Sequence, residues 1–335
     1  MSNSSSPTVT QCLYVFKDTN DVVQREFREL PLSELPNGSV RIKVRYSSLN
    51  YKDALCATGH PGVARKLPIV PGIDASGTVV ASRCPEYSEG DSVMVFHADF
   101  GTSENGGLSE YIDVPANWVY QIPKNLDEKS CMILGTAGFT AAQCVDELIR
   151  HDIRPESGEI VVTGATGGVG ICSVRLLSQL GYHALAVTGK SDKVEWLKEL
   201  GASEVVGREA VNDESPKPLL RGRWAGAVDS VGGNTLATIL RSTMPRGCVT
   251  ACGLVGGVDF SISVYPFILR GVTLQGIDTA GIAREYRQRI WDRLANEWAI
   301  EKLEQLAVET SRHQIESRID EILAGQICGR VLVGF

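Results

Sequence analysis

The stretch VVTGATGGVG, residues 161–170, lies between an apolar strand-like run and the helical pattern ICSVRLLSQL. Gly164, Gly167 and Gly170 have the spacing G-x-x-G-x-x-G. Glycines between a strand and a helix allow a tight turn and the close approach of a pyrophosphate, which the helix N-terminus then binds. The stretch therefore predicts a dinucleotide-binding turn, and an ordinary strand-to-helix turn is the alternative.

The sequence around this turn alternates strands and helices. The runs EIVVTG, YHALAVTG, SEVVG, AGAVDSV and GCVTACG have strand character, and GTAGFTAAQCVDELIRHDI, GVGICSVRLLSQLG and SDKVEWLKELGA have helical character. This alternation is typical of βαβ units on a doubly wound parallel sheet. From about residue 10 to 123 the chain instead shows short β-like runs separated by Pro, Gly, Asn and Asp turns, which predicts a β-rich domain. The expected fold class is α/β with two domains.

Composition narrows the function classes. The chain has 335 residues, with 33 Lys and Arg against 40 Asp and Glu, and shows no basic run with interleaved aromatic residues, which argues against nucleic-acid binding. Nine cysteines occur singly without a CxxC motif, as in the reduced thiols of a cytosolic protein. Neither a signal peptide nor a long apolar run is visible. We expect a cytoplasmic protein with a small-molecule substrate and no membrane partner.

The choice of dinucleotide depends on residues about 20 positions beyond the turn, where an acidic residue binds the ribose 2′-OH of NAD. Here the sequence reads LAVTGKSDK, residues 185–193, with Gly189, Lys190 and Ser191 in place of that acid. An ammonium and a hydroxyl suit the 2′-phosphate of NADP. The pattern predicts NADPH as the cofactor, and a solvated loop role for Lys190 is the alternative.

Several further runs carry a family resemblance: SSLNYKDALCATG, LPIVPGIDASGTV, GGLSEYIDVPANW, ILGTAGFTAAQCV, PFILRGVTLQGID and GQICGRVLVGF. Together with the glycine turn they resemble the zinc-independent medium-chain dehydrogenase/reductase superfamily. Within it, they are similar to the quinone oxidoreductase-like subfamily whose characterised members are NADPH-dependent acryloyl-CoA reductases. The resemblance implies a GroES-like catalytic domain over residues 1–123, completed by about 300–335. It also implies a Rossmann NADP-binding domain over residues 124–299.

The resemblance also bears on metal use. Metal-dependent members carry a zinc-ligand Cys where this chain has Asn50, and a His-Glu pair where Gly72 is followed by Ile73 and Asp74. Five isolated histidines do not supply the N or S ligands that zinc needs. We therefore expect no metal. Without a Lewis acid, reduction of an activated, conjugated C=C bond is the more accessible chemistry.

The catalytic residues implied by the resemblance lie in SLNYKD. Tyr51 is expected to pack against the nicotinamide with its hydroxyl near the reacting carbon, Lys52 to donate positive charge, and Asn50 to hydrogen-bond cofactor or substrate. Asp53 and Asp74 are expected to orient these groups. The alternatives are an Asx turn or helix cap for Asn50 and Asp53, and plain packing for Tyr51.

The resemblance implies cofactor contacts at many positions. Leu254, Ile268 and Thr279 are expected near the nicotinamide, Thr140 near the pyrophosphate, Arg208 at the adenine end, and Arg330 near the phosphates. The full implied set is Tyr51, Thr140, Thr166, Gly167, Gly168, Val169, Gly189, Lys190, Ser191, Arg208, Leu254, Ile268, Thr279 and Arg330.

Two other functions remain open. A quinone reductase of the same fold would share every cofactor residue. The two functions differ in whether basic residues line a path for the phosphates of CoA, and examples of such residues are Arg65, Lys66, Arg284 and Arg287. A non-catalytic NADPH-binding sensor or structural protein is the alternative of another class. By analogy with relatives, the run VTLQGI is expected to pair across a two-fold axis in a homodimer.

Overall fold

Residues 7–335 are described by a computed structural model, and they divide into two units. The first unit comprises the chain up to Thr136 together with the returning segment Leu303–Phe335. The second unit is Ala137–Lys302. No helix within the described residues combines the length and the apolar character that a membrane crossing requires.

The first unit is built mainly of antiparallel strands. They are β1 (Val9–Lys17), β2 (Val23–Pro31), β3 (Ser39–Leu49), β4 (Ala75–Ser82), β5 (Ser92–Val95), β6 (Tyr111–Pro115), β7 (Val119–Gln121), β14 (Ala307–Ser311) and β15 (Arg330–Gly334). Its helices are α1 (Tyr51–Ala57) and α8 (Ile315–Leu323). β1 and β2 form a hairpin, and the others form one sheet in the order β14-β15-β3-β4-β5-β7 with β6 paired to β3.

The returning segment is part of that sheet, because β15 pairs with β3 antiparallel and β14 pairs with β15. Val40, Ile42 and Val44 of β3 alternate with other residues and point into the same apolar core. This period of two is what places one face of a strand against a core. The predicted return of the C-terminal segment to the first domain is confirmed.

The second unit is a parallel sheet with helices. Its strands are β8 (Glu159–Val162), β9 (His183–Val187), β10 (Glu204–Val206), β11 (Trp224–Asp229), β12 (Thr243–Ala251) and β13 (Thr273–Gly276), in the order β10-β9-β8-β11-β12-β13. Its helices are α3 (Gly168–Gln179), α4 (Val194–Glu199), α5 (Gly233–Ser242), α6 (Tyr265–Arg270) and α7 (Arg284–Ala295). All five strand pairings are parallel, so the predicted doubly wound sheet is confirmed.

One helix, α2 (Glu128–Arg150), contains an irregular point at Gly135. Gly135 has φ 49° and ψ −157°, a backbone conformation that L side chains rarely adopt. A Cβ there would lie 2.5 Å from Oδ2 of Asp74, so glycine is also required for space. The sequence pattern predicts a helix from Gly135 onward. The structure has that helix and, before it, a further helical segment from Glu128, and the two are joined across a kink at Gly135.

Candidate cofactor and catalytic sites

The glycine turn follows β8 and leads directly into α3. Gly164 has φ 57°, and a Cβ at Gly170 would collide with the Gly164 carbonyl oxygen. Gly167 N donates to the same carbonyl at 2.8 Å, which closes the turn. Because the first N–H groups of an α-helix have no intrahelical partner, the start of this 12-residue helix offers donors to an anion. The turn therefore fits a pyrophosphate.

The ends of β9 and β10 lie beside this turn. Ala165 N donates to the carbonyl of Val187, the last residue of β9, at 3.1 Å, and Thr188 N donates to the carbonyl of Val206, the last residue of β10, at 3.0 Å. The three neighbouring strands β8, β9 and β10 therefore bring their carboxyl ends, and the loops that follow them, to one edge of the sheet.

Two cations occupy the loops at this edge. Lys190 N donates to the hydroxyl of Thr188 at 3.1 Å, which fixes the backbone of the loop after β9. The guanidinium of Arg208 covers Gly189 so closely that a Cβ there would lie 2.6 Å from its Nε. Ser191 begins a short 3-10 turn, Ser191–Lys193. Two cations and a hydroxyl form a donor set suited to a phosphate monoester.

A second polar cluster of the second unit contains two of the predicted contacts. The hydroxyls of Thr140 on α2 and Thr279 after β13 are 2.9 Å apart.

The other predicted cofactor contacts of the second unit lie elsewhere in it. Leu254 after β12 and Ile268 on α6 are both exposed. Thr166, Gly167, Gly168 and Val169 lie in the glycine turn and the first turn of α3.

In the first unit, Asn50 precedes α1 as its N-cap residue. The carboxylate of Asp53 accepts hydrogen bonds from Asn50 N at 2.8 Å, from Asn50 Nδ2 at 3.1 Å and from Ile73 N at 2.8 Å. These bonds match the helix-cap alternative for Asn50 and Asp53. Tyr51 and Lys52 open the helix, and 42% of Tyr51 is exposed, so both present their side chains to solvent.

Asp74 is the centre of a buried hydrogen-bond network. Its Oδ2 accepts from Ser48 Oγ at 2.6 Å, Asn50 Nδ2 at 2.9 Å and Thr136 N at 2.9 Å. Its Oδ1 accepts from Thr136 Oγ1 at 2.6 Å. The Asn50 amide therefore donates to Asp53 and Asp74 at once, which fixes its orientation.

Arg330 lies against the same network, with 2% of its surface exposed. Its Nε donates to the Ile133 carbonyl at 2.9 Å, Nη1 to Asn50 Oδ1 at 3.0 Å and Nη2 to Ser48 Oγ at 2.8 Å. Nη2 also lies 3.7 Å from Oδ2 of Asp74. These donors face the interior of the first unit, which differs from the phosphate role that the resemblance implies for Arg330.

Burial changes the acidity of one carboxyl here. The pKa of Asp53 is raised from 3.8 to about 7, because the group is removed from water and because the negative charge of Asp74 is close. Hydrogen bonds from Asn50 and Ile73 act in the opposite direction. Asp53 is therefore a carboxyl that holds its proton far more tightly than an exposed aspartate does.

The chemistry of this network does not fit a zinc ion. Where metal-dependent relatives carry the zinc-ligand Cys, this chain has an amide, Asn50, and where they carry the His-Glu pair it has an apolar side chain, Ile73, followed by Asp74, whose carboxylate already faces the guanidinium of Arg330. Zinc sites use thiolate, imidazole and carboxylate ligands. Across residues 7–335, no group of three or more His, Cys, Asp and Glu side chains has an arrangement that could hold a metal ion.

Three of the four basic residues considered for the phosphates of CoA have other partners or are buried. Arg65 pairs with Asp99 at 3.0 Å, and Lys66 pairs with Glu104 at 2.8 Å. Arg287 is buried. Each of these three cations is therefore already engaged within its own unit.

Sequence reasoning missed several members of these clusters. Ser48 and Thr136 bind Asp74, and Gln143 binds Thr279. Small polar residues in apolar strands and helices are common, so their identity alone gives no signal. The one available signal is position, because Thr136 and Gln143 lie in the run ILGTAGFTAAQCV that carries the family resemblance.

Comparison with known proteins adds two family matches. Residues 36–124 match the family model described as alcohol dehydrogenase GroES-like domain, and residues 168–296 match the one described as zinc-binding dehydrogenase. The acrylyl-CoA reductase AcuI of Ruegeria pomeroyi is 40% identical over 92% of this chain and 94% of its own.

Two further proteins have solved structures. YhfP of Bacillus subtilis, which is named as a quinone oxidoreductase, is 42% identical over 97% of this chain and 99% of its own. Its crystal structure with NAD bound has a TM-score of 0.94, covering 98% of this chain and 100% of that chain. The YhdH oxidoreductase of Salmonella enterica, in complex with NADP, is 41% identical with a TM-score of 0.92, covering 97% of this chain and 99% of that chain.

Proposed function

The chain belongs to the medium-chain dehydrogenase/reductase superfamily and is an oxidoreductase, and from that premise we propose that it uses NADPH to reduce the activated C=C bond of a short α,β-unsaturated acyl-CoA. One observation carries the cofactor assignment. The glycine turn, Lys190 and Arg208 lie at the carboxyl ends of the three neighbouring strands β8, β9 and β10. This edge offers helix N–H groups to a pyrophosphate and two cations to a 2′-phosphate. The YhdH structure with NADP supports the same choice.

The residues of the second unit are assigned to the cofactor. Thr166, Gly167, Gly168 and Val169 hold the pyrophosphate, and Gly189, Lys190, Ser191 and Arg208 hold the adenosine phosphate. Leu254, Ile268 and Thr279 lie along the nicotinamide. Thr140 is assigned to the nicotinamide with them, because its hydroxyl is 2.9 Å from that of Thr279. We accordingly assign residues 124–299 as the cofactor domain, and residues 1–123 with about 300–335 as the catalytic domain.

The residues of the first unit are assigned to the substrate. NADPH, when bound, supplies a hydride from its dihydronicotinamide. Tyr51 and Lys52 donate a hydrogen bond and positive charge to the enolate oxygen that develops when the β-carbon is reduced. Asn50 and Asp74 hold the start of α1, because the Asn50 amide is bonded to Asp53, Asp74 and Arg330. The reaction in this proposal is independent of zinc.

Reduction of quinones is the second candidate function. The burial of Arg287 favours it, since this cation is not available to bind the phosphates of CoA. Arg65 and Lys66 are held only by exposed ion pairs, which cost little to break and so do not decide between the two functions. The similarity to YhfP, which is named as a quinone oxidoreductase, points the same way. An uncharged quinone makes no demand for such cations.

We also propose that the protein is a homodimer. Besides Leu254 and Ile268, which are assigned to the nicotinamide, one segment of the second unit exposes further large apolar side chains: Val255, Val258, Phe260, Val264, Tyr265 and Leu269. β13 follows this segment and is one of the two edge strands of the described sheet, with β10 at the other edge. An apolar surface beside an open strand edge fits a second copy of the same chain. Nine free cysteines support a cytoplasmic location.

The test is NADPH oxidation by the purified protein with acryloyl-CoA and, in parallel, with 1,4-benzoquinone. The proposal predicts a kcat/KM for the thioester at least tenfold above that for the quinone, and a large loss with Tyr51→Phe. A preference for the quinone would transfer the assignment to the second candidate. Tight NADPH binding without turnover of either substrate would contradict both.

A further inference from the structure

A buried polar cluster of the second unit joins three elements: the second half of α2, the loop after β13, and α7. Gln143 on α2 and Arg287 on α7 are each only 4% exposed. Between them lies Thr279, and the hydroxyl of Thr140 is 2.9 Å from that of Thr279. Burying a polar side chain costs free energy unless its hydrogen bonds are made, so buried polar groups are normally hydrogen-bonded. The partners of these four side chains therefore show what holds each of them in place.

The chemistry of the partners fixes the direction of these bonds. The carbonyl oxygen of Asp278 accepts only, so the Gln143 atom that faces it at 3.5 Å is the amide nitrogen. The amide oxygen therefore faces Thr279, whose hydroxyl donates to it at 3.0 Å. Because Thr279 has one hydroxyl hydrogen, its oxygen then accepts from the hydroxyl of Thr140.

Arg287 holds the main chain of the same loop. Its Nη2 donates to the carbonyl of Thr279 at 2.6 Å, and its guanidinium carbon lies 5.1 Å from the centre of the Phe139 ring. The helix that carries Arg287 is fastened to α2 through Asp146, which accepts from Tyr286 Oη at 2.9 Å and Arg293 Nη1 at 2.6 Å. The position of Thr279 is thus set by two helices.

We propose that Gln143 and Arg287 are positioning residues for the cofactor, which act by fixing the Thr140 and Thr279 hydroxyls. The inference rests on the proposed function, in which these two threonines lie along the nicotinamide. Gln143 accepts a hydrogen bond from the Thr279 hydroxyl, and Thr279 accepts one from the Thr140 hydroxyl. The two threonines therefore present their hydroxyl oxygens as hydrogen-bond acceptors. A carboxamide NH2 is a donor, so this polarity selects one orientation of the nicotinamide ring.

A double-mutant cycle tests the proposal. Gln143→Met removes both amide bonds at similar volume, and Thr279→Val removes the hydroxyl through which Gln143 acts. We expect each single variant to lower kcat about tenfold with substrate KM within about twofold, and the double variant to be no more than about twofold worse than either. Gln288→Met, at a partly exposed site on α7 where the amide bonds Asp292 at 3.0 Å, is the matched control and should leave kcat unchanged.

The proposal would be overturned if the two substitutions acted independently on kcat. The kcat of the double variant would then be about 100-fold lower than that of the wild type, which is the product of the two single losses. Equal kcat for Gln143→Met and Gln288→Met would also overturn it. Thr279→Val removes the Gln143–Thr279 hydrogen bond by changing the second partner, so the test does not depend on one variant. Urea unfolding of every variant identifies a folding defect.

Dissociation constants and emission of bound NADPH separate this proposal from the proposed function. If the wild type binds NADPH but reduces neither acryloyl-CoA nor benzoquinone, the proposed function fails, and the cycle is evaluated from the emission of bound NADPH, with the same expectation of non-additivity. If the wild type does not bind NADPH, both proposals are overturned.

Discussion

Replacement of Asp74 by asparagine removes a buried charge while keeping the shape of the side chain. Asparagine can place its oxygen toward Ser48, Asn50 and the Thr136 N–H, and its amide nitrogen toward the Thr136 hydroxyl, which then accepts instead of donating. Each of these four contacts thereby keeps one donor and one acceptor. What Asp74→Asn removes is the negative charge 3.7 Å from Nη2 of Arg330.

The magnitude follows from the burial of that pair. Breaking a buried ion pair by removing one partner costs about 3–5 kcal/mol, because the other charge stays buried. Arg330 keeps its bonds to Ile133, Asn50 and Ser48, and 3.7 Å exceeds a direct hydrogen-bond length, so the lower end applies. We expect Asp74→Asn to lower the free energy of unfolding by about 3 kcal/mol.

The assay is urea unfolding followed by circular dichroism for Asp74→Asn, Arg330→Met and the double variant. With no charge left unpaired, the double variant should be about 2 kcal/mol more stable than the sum of the single losses predicts. Additive losses, or a loss below about 1 kcal/mol for Asp74→Asn alone, would refute the reasoning that these charges depend on each other.

Three further predictions concern other groups. Between pH 3.8 and about 7 the folded protein holds the Asp53 proton more tightly than the unfolded chain, so the contribution of Asp53 to the free energy of unfolding falls as pH rises. Asp53→Asn should flatten the dependence of this free energy on pH, measured by urea unfolding. An unchanged pH dependence would contradict the raised pKa of Asp53. Lys190→Ala should raise the dissociation constant of NADPH about tenfold, the low end for a charge-assisted hydrogen bond, and leave that of NADH within about twofold; fluorescence titration measures both, and equal weakening would argue against a 2′-phosphate contact. Leu269→Glu, at a side chain 63% exposed, should convert a dimer to a monomer in analytical ultracentrifugation; a variant that stays dimeric would place the interface elsewhere.

Sequence patterns were sufficient for the parallel sheet, because strand-to-helix alternation and the spacing of Gly164, Gly167 and Gly170 depend on local chain geometry. The helical segment before Gly135 was not predictable in the same way. The need for glycine at position 135 comes partly from the carboxylate of Asp74, which lies 61 positions earlier and leaves no room for a Cβ. The spacing of apolar residues within the helix gives no indication of that contact.

The environment of Arg330 shows a second limit. The resemblance implied a place near the cofactor phosphates for Arg330, the first residue of β15, but its partners Ser48, Asn50 and Asp74 come from the other end of the chain. The fold surrounds this arginine with acceptors of the first unit. Thr140 and Thr279 are another case, because the resemblance implied Thr140 near the pyrophosphate and Thr279 near the nicotinamide, whereas their hydroxyls lie only 2.9 Å apart.

Hydride transfer from NADPH to a conjugated carbon–carbon double bond can be followed with an isotope label. The purified protein is incubated with acryloyl-CoA and NADPH deuterated at C4 on each face in turn, and the product is analysed by mass spectrometry. We expect propionyl-CoA with one deuterium at the β-carbon from one of the two cofactors and a solvent proton at the α-carbon. Absence of deuterium at the β-carbon with both cofactors, or no product, would contradict it.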